Sequence, residues 1–540
     1  MKAIGIVMVD LERSPLGTRS RLNDMLAGVP LLRRTLERAS RATRMERLFI
    51  VAPAPQAGAV ADLAAGLAVT LETYSGQPPA YRELVTAGRM WGLDGWRGGV
   101  GGLCAFDEDV HVPAAAALAA RENADVVVSI PAAAAMIDPC LIDSLIEHYD
   151  KEGHIFRMTF AQAPPGLAPV VLAKTLLEEL APSGQPPGAV LTYKPGKPIP
   201  DLTGREACYR GATEIIEAGG RLIGDTRRSF ERLERLITAV GPDADALTAS
   251  RWLRDFDSTF VGEHPAEIEI ELTTVDPWRG GSLLRPGSKH VPERGAIDME
   301  TVRKAVEGCA EWDDVRVVLG GFGEPLVHPQ FGEIVHMIRD AGAAAIAVRT
   351  SGLIRSAEIY AALFETPVDV LEVMLDAATA AGYRRVHGMD GFDTAMTTCG
   401  AWLQRRHENR TVRPLIVPSM VKANETLPEM EAFFDGWTER HGTVLLSGYS
   451  HRAGQLEDRS VCGMAPPQRA ACRRTFSRLV VLANGLVTTC DQDFAGRQII
   501  EDVRRDSIRT IWQGEALARI RSDDLSKTSL CTGCTEWHRP

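Results

Sequence analysis

The sequence has no run of about 20 apolar residues, the length a helix needs to cross a bilayer. Its longest weakly polar stretch, 126–137, is broken by Ser129 and Pro131. An export signal is lacking too: MKAIGIVMVD has one lysine and an apolar run closed by Asp10, too short and wrongly flanked for one, and it predicts a first strand instead. Positive charge is in deficit, with 60 Lys and Arg against 71 Asp and Glu and a net charge of −11. That balance, with no basic run, excludes a nucleic-acid partner read through basic patches and a membrane-surface face. Gly-x-Ser-x-Gly, the P-loop and His-Glu-x-x-His are all missing, so the hydrolase and P-loop classes have no support. What remains is a cytoplasmic protein whose ten cysteines stay reduced unless they hold metal. At 540 residues and 45% hydrophobic content it has room for about three or four domains with full cores.

Residues 1–181 alternate strand and helix. Strands are expected at 3–9, 48–52 and 125–130, and helices at 30–42, 113–121 and 140–149, the last opened by Asp138 and Pro139. Such alternation builds a mostly parallel, three-layer α/β domain. The loop after the first strand carries Arg13, Gly17, Thr18, Arg19 and Arg21, which suits either an anion site or an ordinary exposed arginine-rich loop. The order of strand, basic loop, GVPLLRRTLERA, GGVGGLCAFDE at 98–108 and MIDPCLID at 136–143 resembles the nucleotidyltransferase family that includes sugar cytidylyltransferases. That family holds magnesium on an aspartate near the end of its middle strand. Here 131–135 reads PAAAA, and alanine cannot coordinate a hard cation that needs oxygen. Asp107, Glu108 and Asp138 are the nearest carboxylates. The resemblance therefore implies a nucleotidyltransferase-like domain kept for binding or packing. Over 182–263 proline and glycine cluster ahead of charged helical segments, a pattern read as a partly helical connector.

A second α/β unit opens at Glu267 with EIEIELTT, an alternation of acid and isoleucine. Five or six βα repeats follow over 264–460, which predicts a β/α, partial TIM-type barrel. The stretch 317–329, VVLGGFGEPLVHP, reads as a buried strand delivering a glycine loop, with Glu324 an acceptor aimed at a ligand or a solvated acid in a plain turn. Polar residues recur at the strand ends, at Glu324, Ser351, Asp376 and Asn424, where barrel sites are built. LGGFGEPLVHPQF, RTSGLI, VMLDAATAAGYRRVHG and PSMVKANETLPEM resemble the radical S-adenosylmethionine barrel in the branch with a C-terminal SPASM extension. The resemblance implies that Gly321, Gly323 and Glu324 contact the methionine end of S-adenosylmethionine, with Ser351 and Asp376 as further cofactor or substrate contacts. The family also places Cys-x-x-x-Cys-x-x-Cys after the first strand, to hold a 4Fe-4S cluster. In TVDPWRGGSLLRP, at 274–286, those positions fall near Asp276, Gly280 and Leu283, and no thiolate is present. Cys309, Cys399 and Cys462 lie elsewhere and read as small structural hydrophobes. His328 reads as closing a turn, and His387, near Tyr383, as packed or solvated.

The last 80 residues, 461–540, concentrate four thiols, Cys472, Cys490, Cys531 and Cys534, around a hairpin turned at Asn484-Gly485. In a reducing compartment the pattern favours metal over disulfide, and four thiolates suit zinc or an iron–sulfur cluster alike. CRRTFSRLVVLANGLVTTCDQD, IRTIWQG and CTGCTEW are similar to the short SPASM or twitch form, which implies one auxiliary 4Fe-4S cluster on those four cysteines, with zinc as the alternative. Asp491 and Asp493 read as turn and supporting groups rather than ligands.

Together the resemblances imply an iron–sulfur protein like the radical SAM/SPASM enzymes, with S-adenosylmethionine as a second cofactor. It would be a redox modification enzyme of sugar-nucleotide or surface-glycan metabolism acting on a small molecule, glycan or peptide, its cleavage chemistry lacking the usual iron. The alternatives are a non-catalytic nucleotide- or S-adenosylmethionine-binding regulatory or scaffold protein, and a nucleotidyltransferase.

Overall fold

The computed structural model describes residues 1–74, 78–153, 157–196, 207–256, 261–366, 368–469, 471–522 and 530–539. The chain forms two compact units, Met1–Asp257 and Ser258–Pro540. Among the described residues no helix is long and apolar enough to cross a membrane.

In the first unit the strands are β1 (Ala3–Met8), β2 (Met25–Leu26), β3 (Val29–Pro30), β4 (Arg47–Pro53), β5 (Val69–Tyr74), β6 (Val126–Ile130), β7 (Met158–Ala161), β8 (Val170–Ala173) and β9 (Cys208–Tyr209). Seven of them make one sheet in the order β5-β4-β1-β6-β8-β7-β9, while β2 and β3 form a small separate ribbon. The first four are parallel and β8 runs antiparallel to β6 and β7, so the sheet is mixed. Period-two alternation sends Ile4 and Ile6 of β1 into one core and Ala3 and Val7 into the other. Helices cover both faces, giving three layers: Val112–Arg121 and Lys174–Ser183 on the first, Leu31–Ala39 and Pro139–His148 on the second.

The stretch read as a connector differs from that reading. Helix Arg227–Val240 places Leu233, Leu236 and Ile237 in the second-face core, and Ala246–Phe256 adds Ala249 and Leu253. Its charged surface hid a stripe of apolar residues at helical spacing, which is what a covering layer needs. Residues 197–206 and 257–260 of the expected connector lie outside the described residues.

The second unit contains β10 (Glu267–Glu271), β11 (Arg316–Gly320), β12 (Ala345–Thr350), β13 (Val370–Met374), β14 (Leu415–Lys422), β15 (Leu445–Gly448), β16 (Arg478–Val481), β17 (Leu486–Thr488) and β18 (Ile499–Asp502). They form one nine-stranded sheet, ordered β15-β14-β13-β12-β11-β10-β16-β17-β18. The pairs from β15 to β10 are parallel, as expected of βα repeats, but the sheet has two free edges and no closed barrel forms among the described residues. The cysteine-rich segment, expected as a domain of its own, instead continues this sheet: β16 pairs in parallel with β10, and the hairpin β16–β17 turns at Asn484-Gly485 as its sequence predicts. Ile268, Ile270, Val317, Leu319, Ile346, Leu371 and Leu479 share one core with Ile334, Trp402, Phe433 and Trp512 of the flanking helices.

The other side of β10 carries Glu267, Glu269 and Glu271, all buried. Glu271 is gripped by Arg294 at 2.7 and 2.9 Å and accepts a hydrogen bond from the Ala483 amide at 3.2 Å, while Arg294 also donates to the Phe494 carbonyl. Removing one partner of a buried ion pair leaves an uncompensated charge, a cost of about 3–5 kcal/mol. Arg294→Met is therefore expected to lower the unfolding free energy of this unit, read from its urea midpoint, by that order, and Glu271→Gln combined with it to recover part of the loss. Unchanged midpoints in the single variant would show that the pair does not stabilise the sheet.

Candidate functional site

The glycine loop leaves β11 at Gly321, whose φ of 77° is a left-handed conformation and whose added Cβ would stand 2.8 Å from the Glu271 side chain. Gly323 presses harder still, since a Cβ there would lie 2.1 Å from the Thr273 carbonyl oxygen. These contacts lay the loop on the segment that follows β10, and the Glu324 amide donates to the Val275 carbonyl at 2.9 Å. Glu324 is 1% exposed and its carboxylate accepts from the Ser351 amide and hydroxyl at 2.8 and 2.6 Å and from the Leu326 amide at 3.2 Å. Burial raises its pKa, and the Ser351 bonds pull it back part of the way. Glu324 and Ser351 are thus brought into direct contact. His328 closes the turn, its Nε2 against the Ile297 carbonyl at 2.8 Å.

Asp376 belongs to a neighbouring cluster. It adopts φ 54°, accepts from the Val421 amide and from Arg285 Nη2, each at 2.8 Å, and faces His387 Nε2 at 3.7 Å. On this cluster lies the loop in which the resemblance places three cysteines. Asp276 is committed to folding that loop, accepting from the amides of Trp278, Gly280 and Ser288 at 2.9, 2.5 and 3.0 Å. Leu283 donates its amide to the Val386 carbonyl at 2.9 Å. Trp278, 5% exposed, stacks on His387 at 4.6 Å with 7° between the rings, and its Nε1–H donates to the Tyr383 hydroxyl at 3.0 Å. The Arg285 guanidinium sits 5.7 Å over the Trp278 ring. The sequence points to Asp376, Tyr383 and His387 one by one but not to their meeting with Trp278 and Arg285, which lie in a loop rich in glycine and proline.

The donor set of that loop does not fit an iron–sulfur cluster, because Asp276, Gly280 and Leu283 supply no thiolate. The four C-terminal cysteines supply the thiolate donors such a cluster needs. Cys472 and Cys490 are buried, Cys531 and Cys534 half-buried, and Cys472 packs with Cys531 and Trp537. Burial pushes the Cys490 thiol up to about 12 and Cys534 up to about 11, and Cys472 upward too; each also feels the charge of another of the four sulfurs. The Glu536 amide donates to Cys534 Sγ at 3.3 Å, the kind of bond that steadies a ligating sulfur. Arg474 joins three cysteine segments: it follows Cys472 by two residues, is hydrogen-bonded to Asp491 beside Cys490, and reaches Glu536 near Cys534 at 3.7 Å. Asp491 and Asp493 serve as supports, the latter accepting from the amides of Arg497 and Gln498. Among the described residues, no three His, Cys, Asp or Glu side chains stand close enough to hold a single metal ion. Cys309 and Cys399 are buried in the core, as expected, whereas Cys462 is exposed beside Met464 rather than packed.

In the first unit the three nearest carboxylates are all engaged. Asp107 accepts from the amides of Cys104 and Gly188, Glu108 pairs with Arg89 and Arg221, and Asp138 caps its helix and accepts from the Ala246 amide. In the basic loop Arg19 and Arg21 pair with Asp24.

Residues 286–424 match the radical SAM superfamily, and residues 472–535 match SPASM, an iron-sulfur cluster-binding domain. The first match contains Gly321, Gly323, Glu324, Ser351 and Asp376 and begins beyond Asp276, Gly280 and Leu283; the second contains all four C-terminal cysteines. An uncharacterized protein of Treponema pallidum is 25% identical over 285 residues, covering 51% of this chain and 79% of the relative. A tungsten-containing aldehyde ferredoxin oxidoreductase cofactor-modifying protein of Pyrococcus furiosus is 28% identical over 90 residues, 16% of this chain and 25% of that protein. Among solved structures, SuiB of Streptococcus suis bound to precursor peptide SuiA matches with a TM-score of 0.40 and 12% identity over 54% of this chain and 75% of its own. These domains indicate iron–sulfur and S-adenosylmethionine as the cofactor classes.

His387 offers a test of the cluster around Trp278. It is fully buried, and burial, opposed by the charge of Asp376, lowers its pKa from 6.5 to about 4. Between those values the unfolded chain binds the extra proton, so the contribution to stability is complete above about pH 6.5 and is lost as pH falls toward 4. The unfolding free energy of the unit, read from urea denaturation, should fall across that window by at most about 3.4 kcal/mol, and His387→Gln should flatten the dependence. An identical slope in the variant would assign it to other groups.

Proposed function

We propose that this chain, which carries radical SAM and SPASM domains, is a single-cluster iron–sulfur protein that has given up reductive cleavage of S-adenosylmethionine. The observation that carries this reading is the loop at 274–286: where a cluster would need three thiolates it has Asp276, Gly280 and Leu283, and it folds down with Trp278 buried against His387 and Tyr383. Cys472, Cys490, Cys531 and Cys534 would hold the remaining cluster, which when bound supplies one-electron transfer. Arg474, through Asp491 and Glu536, orients three of the cysteine segments. Gly321 and Gly323 let the loop lie against Glu271 and Thr273, which places Glu324 and Ser351 as an acceptor and donor pair at the end of the strands, where a ligand would sit. A cytoplasmic location, where thiols stay reduced, suits the ten free cysteines.

The substrate class we assign is a sugar nucleotide or surface-glycan intermediate, supported by the resemblance of residues 1–181 to sugar cytidylyltransferases. That unit serves as a binding rather than a transferring domain, because Asp107, Glu108 and Asp138 are each held by protein groups. A second reading, redox modification of a small molecule or peptide with Glu324 holding the amine of S-adenosylmethionine, is favoured by the likeness to the cofactor-modifying protein.

Iron and sulfide analysis of anaerobically purified protein separates the two. The expected result is about four irons per chain, lost in Cys531→Ala, with no 5′-deoxyadenosine above background when reductant and S-adenosylmethionine are added. About eight irons, or formation of 5′-deoxyadenosine, would overturn the single-cluster reading.

A further inference from the structure

The first unit contains a partly open pocket that none of the roles above uses. It lies at the C-terminal end of β6, with Ser129 and Pro131 on one side and Phe106 and Asp109, from the short helix Phe106–Asp109, on another. Trp96 stacks on Phe160 at 5.4 Å with 21° between the rings, and Phe106 meets Phe160 at 6.0 Å, so the three rings form one continuous wall. The proline-rich loop between β7 and β8 completes the lining without a charged group.

Asp109 is the exception among its neighbours. Asp107 accepts two backbone amides, Glu108 is paired with Arg89 and Arg221, and Asp225 is paired with Arg221. Asp109 is 5% exposed, and its Oδ2 is buried without a hydrogen-bond partner. A carboxylate taken out of water and left unpaired is costly, and among apolar walls it favours the arrival of opposite charge or of a proton. Aromatic faces favour cations as well.

We propose that this cavity binds a small organic ammonium ion, its nitrogen against Asp109 and its carbon body against Trp96, Phe106 and Phe160. The lining selects against the other ligand classes. A divalent cation needs about six or more oxygen ligands, and Asp109 and Ser129 are the polar side chains available. A phosphate or carboxylate would meet the charge of Asp109. A sugar ring would bring more hydroxyls than two side chains can partner.

The charged groups facing Asp109 define how binding depends on pH. Burial, then Glu108 and Asp225, push its pKa up to about 7, against the pull of Arg82 and Arg221; Arg221 is already engaged by Glu108 and Asp225. Only the ionised carboxylate attracts the ligand, so affinity is full above about pH 7 and falls as Asp109 gains its proton, with proton release on binding near neutrality.

Titration calorimetry of the full chain tests this with choline chloride, propylammonium chloride and 3,3-dimethyl-1-butanol, the uncharged isostere of choline. The expected result at pH 8 is one-to-one binding of at least one ammonium, with the alcohol at least tenfold weaker; at pH 5.5 the ammonium should bind at least tenfold more weakly. Asp109→Asn should lose at least tenfold in affinity and Trp96→Leu should weaken binding with the thermal unfolding profile retained. Absence of heat with both ammonium salts, equal binding of the alcohol, or undiminished binding by Asp109→Asn would overturn the assignment; the comparison of choline with the alcohol needs no variant to fold.

Discussion

Three buried carboxylates on one strand constrain the second unit. β10 lies between β11 and β16, and its acids Glu267, Glu269 and Glu271 cannot reach water. Each is met by arginine from a different part of the chain: Glu267 by Arg478 and Arg316, Glu269 by Arg349, Glu271 by Arg294. Because a buried charge is tolerated only when paired and hydrogen-bonded, the glycine loop, the loop after β10 and the cysteine-bearing hairpin must all assemble for this strand to fold. Gly321 donates its amide to Glu269, and Ala483 donates to Glu271. The same acids thus tie the loop of the proposed ligand cradle to the hairpin that carries Cys490.

This network extends to the thiols. Asp491, next to Cys490, is held far below the ordinary carboxylate range by Arg474, Arg452 and Arg478. Arg474 and Arg478 each bridge Asp491 to a second acid, Glu536 and Glu267 respectively. A cluster bound by Cys472, Cys490, Cys531 and Cys534 would therefore sit beside a guanidinium-rich wall built from the sheet itself. Hydrogen bonds, burial and nearby charge are what tune such clusters, and in this chain the tuning groups come from the cysteine-bearing segment and from Glu267 and Arg452 outside it.

The first unit pairs most of its buried carboxylates within the fold. Its three-layer sheet matches the expectation from alternating strand and helix, and the carboxylates near the strand ends are present, but Arg89, Arg221 and backbone amides neutralise Asp107 and Glu108 one by one. Asp109 alone stays unsatisfied, in a cavity whose walls are rings and prolines. A row of four residues, Phe106 to Asp109, thus divides between structure and a candidate ligand contact, because successive helical positions point about 100° apart.

Much of the architecture was legible because local physics sufficed for it. The apolar runs 3–9 and 125–130, the Asn484-Gly485 turn, and the Asp138 cap are decided by residues near in sequence. The four C-terminal thiols and the absence of thiols at Asp276, Gly280 and Leu283 are facts of composition, and they alone determine which loop is able to hold iron–sulfur. Tertiary structure decided the rest, because it depends on partners hundreds of residues apart. The alternation EIEIE ordinarily marks a strand with one wet face, yet both faces are buried once Arg294, Arg349 and Arg478 arrive. Trp278 finds His387 and Tyr383 more than a hundred residues on, and the charged helix at 227–240 becomes a layer of the first unit rather than a link. Side-chain pairing across such separations has no local signature, so the sequence determined the elements and the cysteine chemistry, and the fold alone decided which acids were paired with arginine and that Asp109 was left facing a pocket.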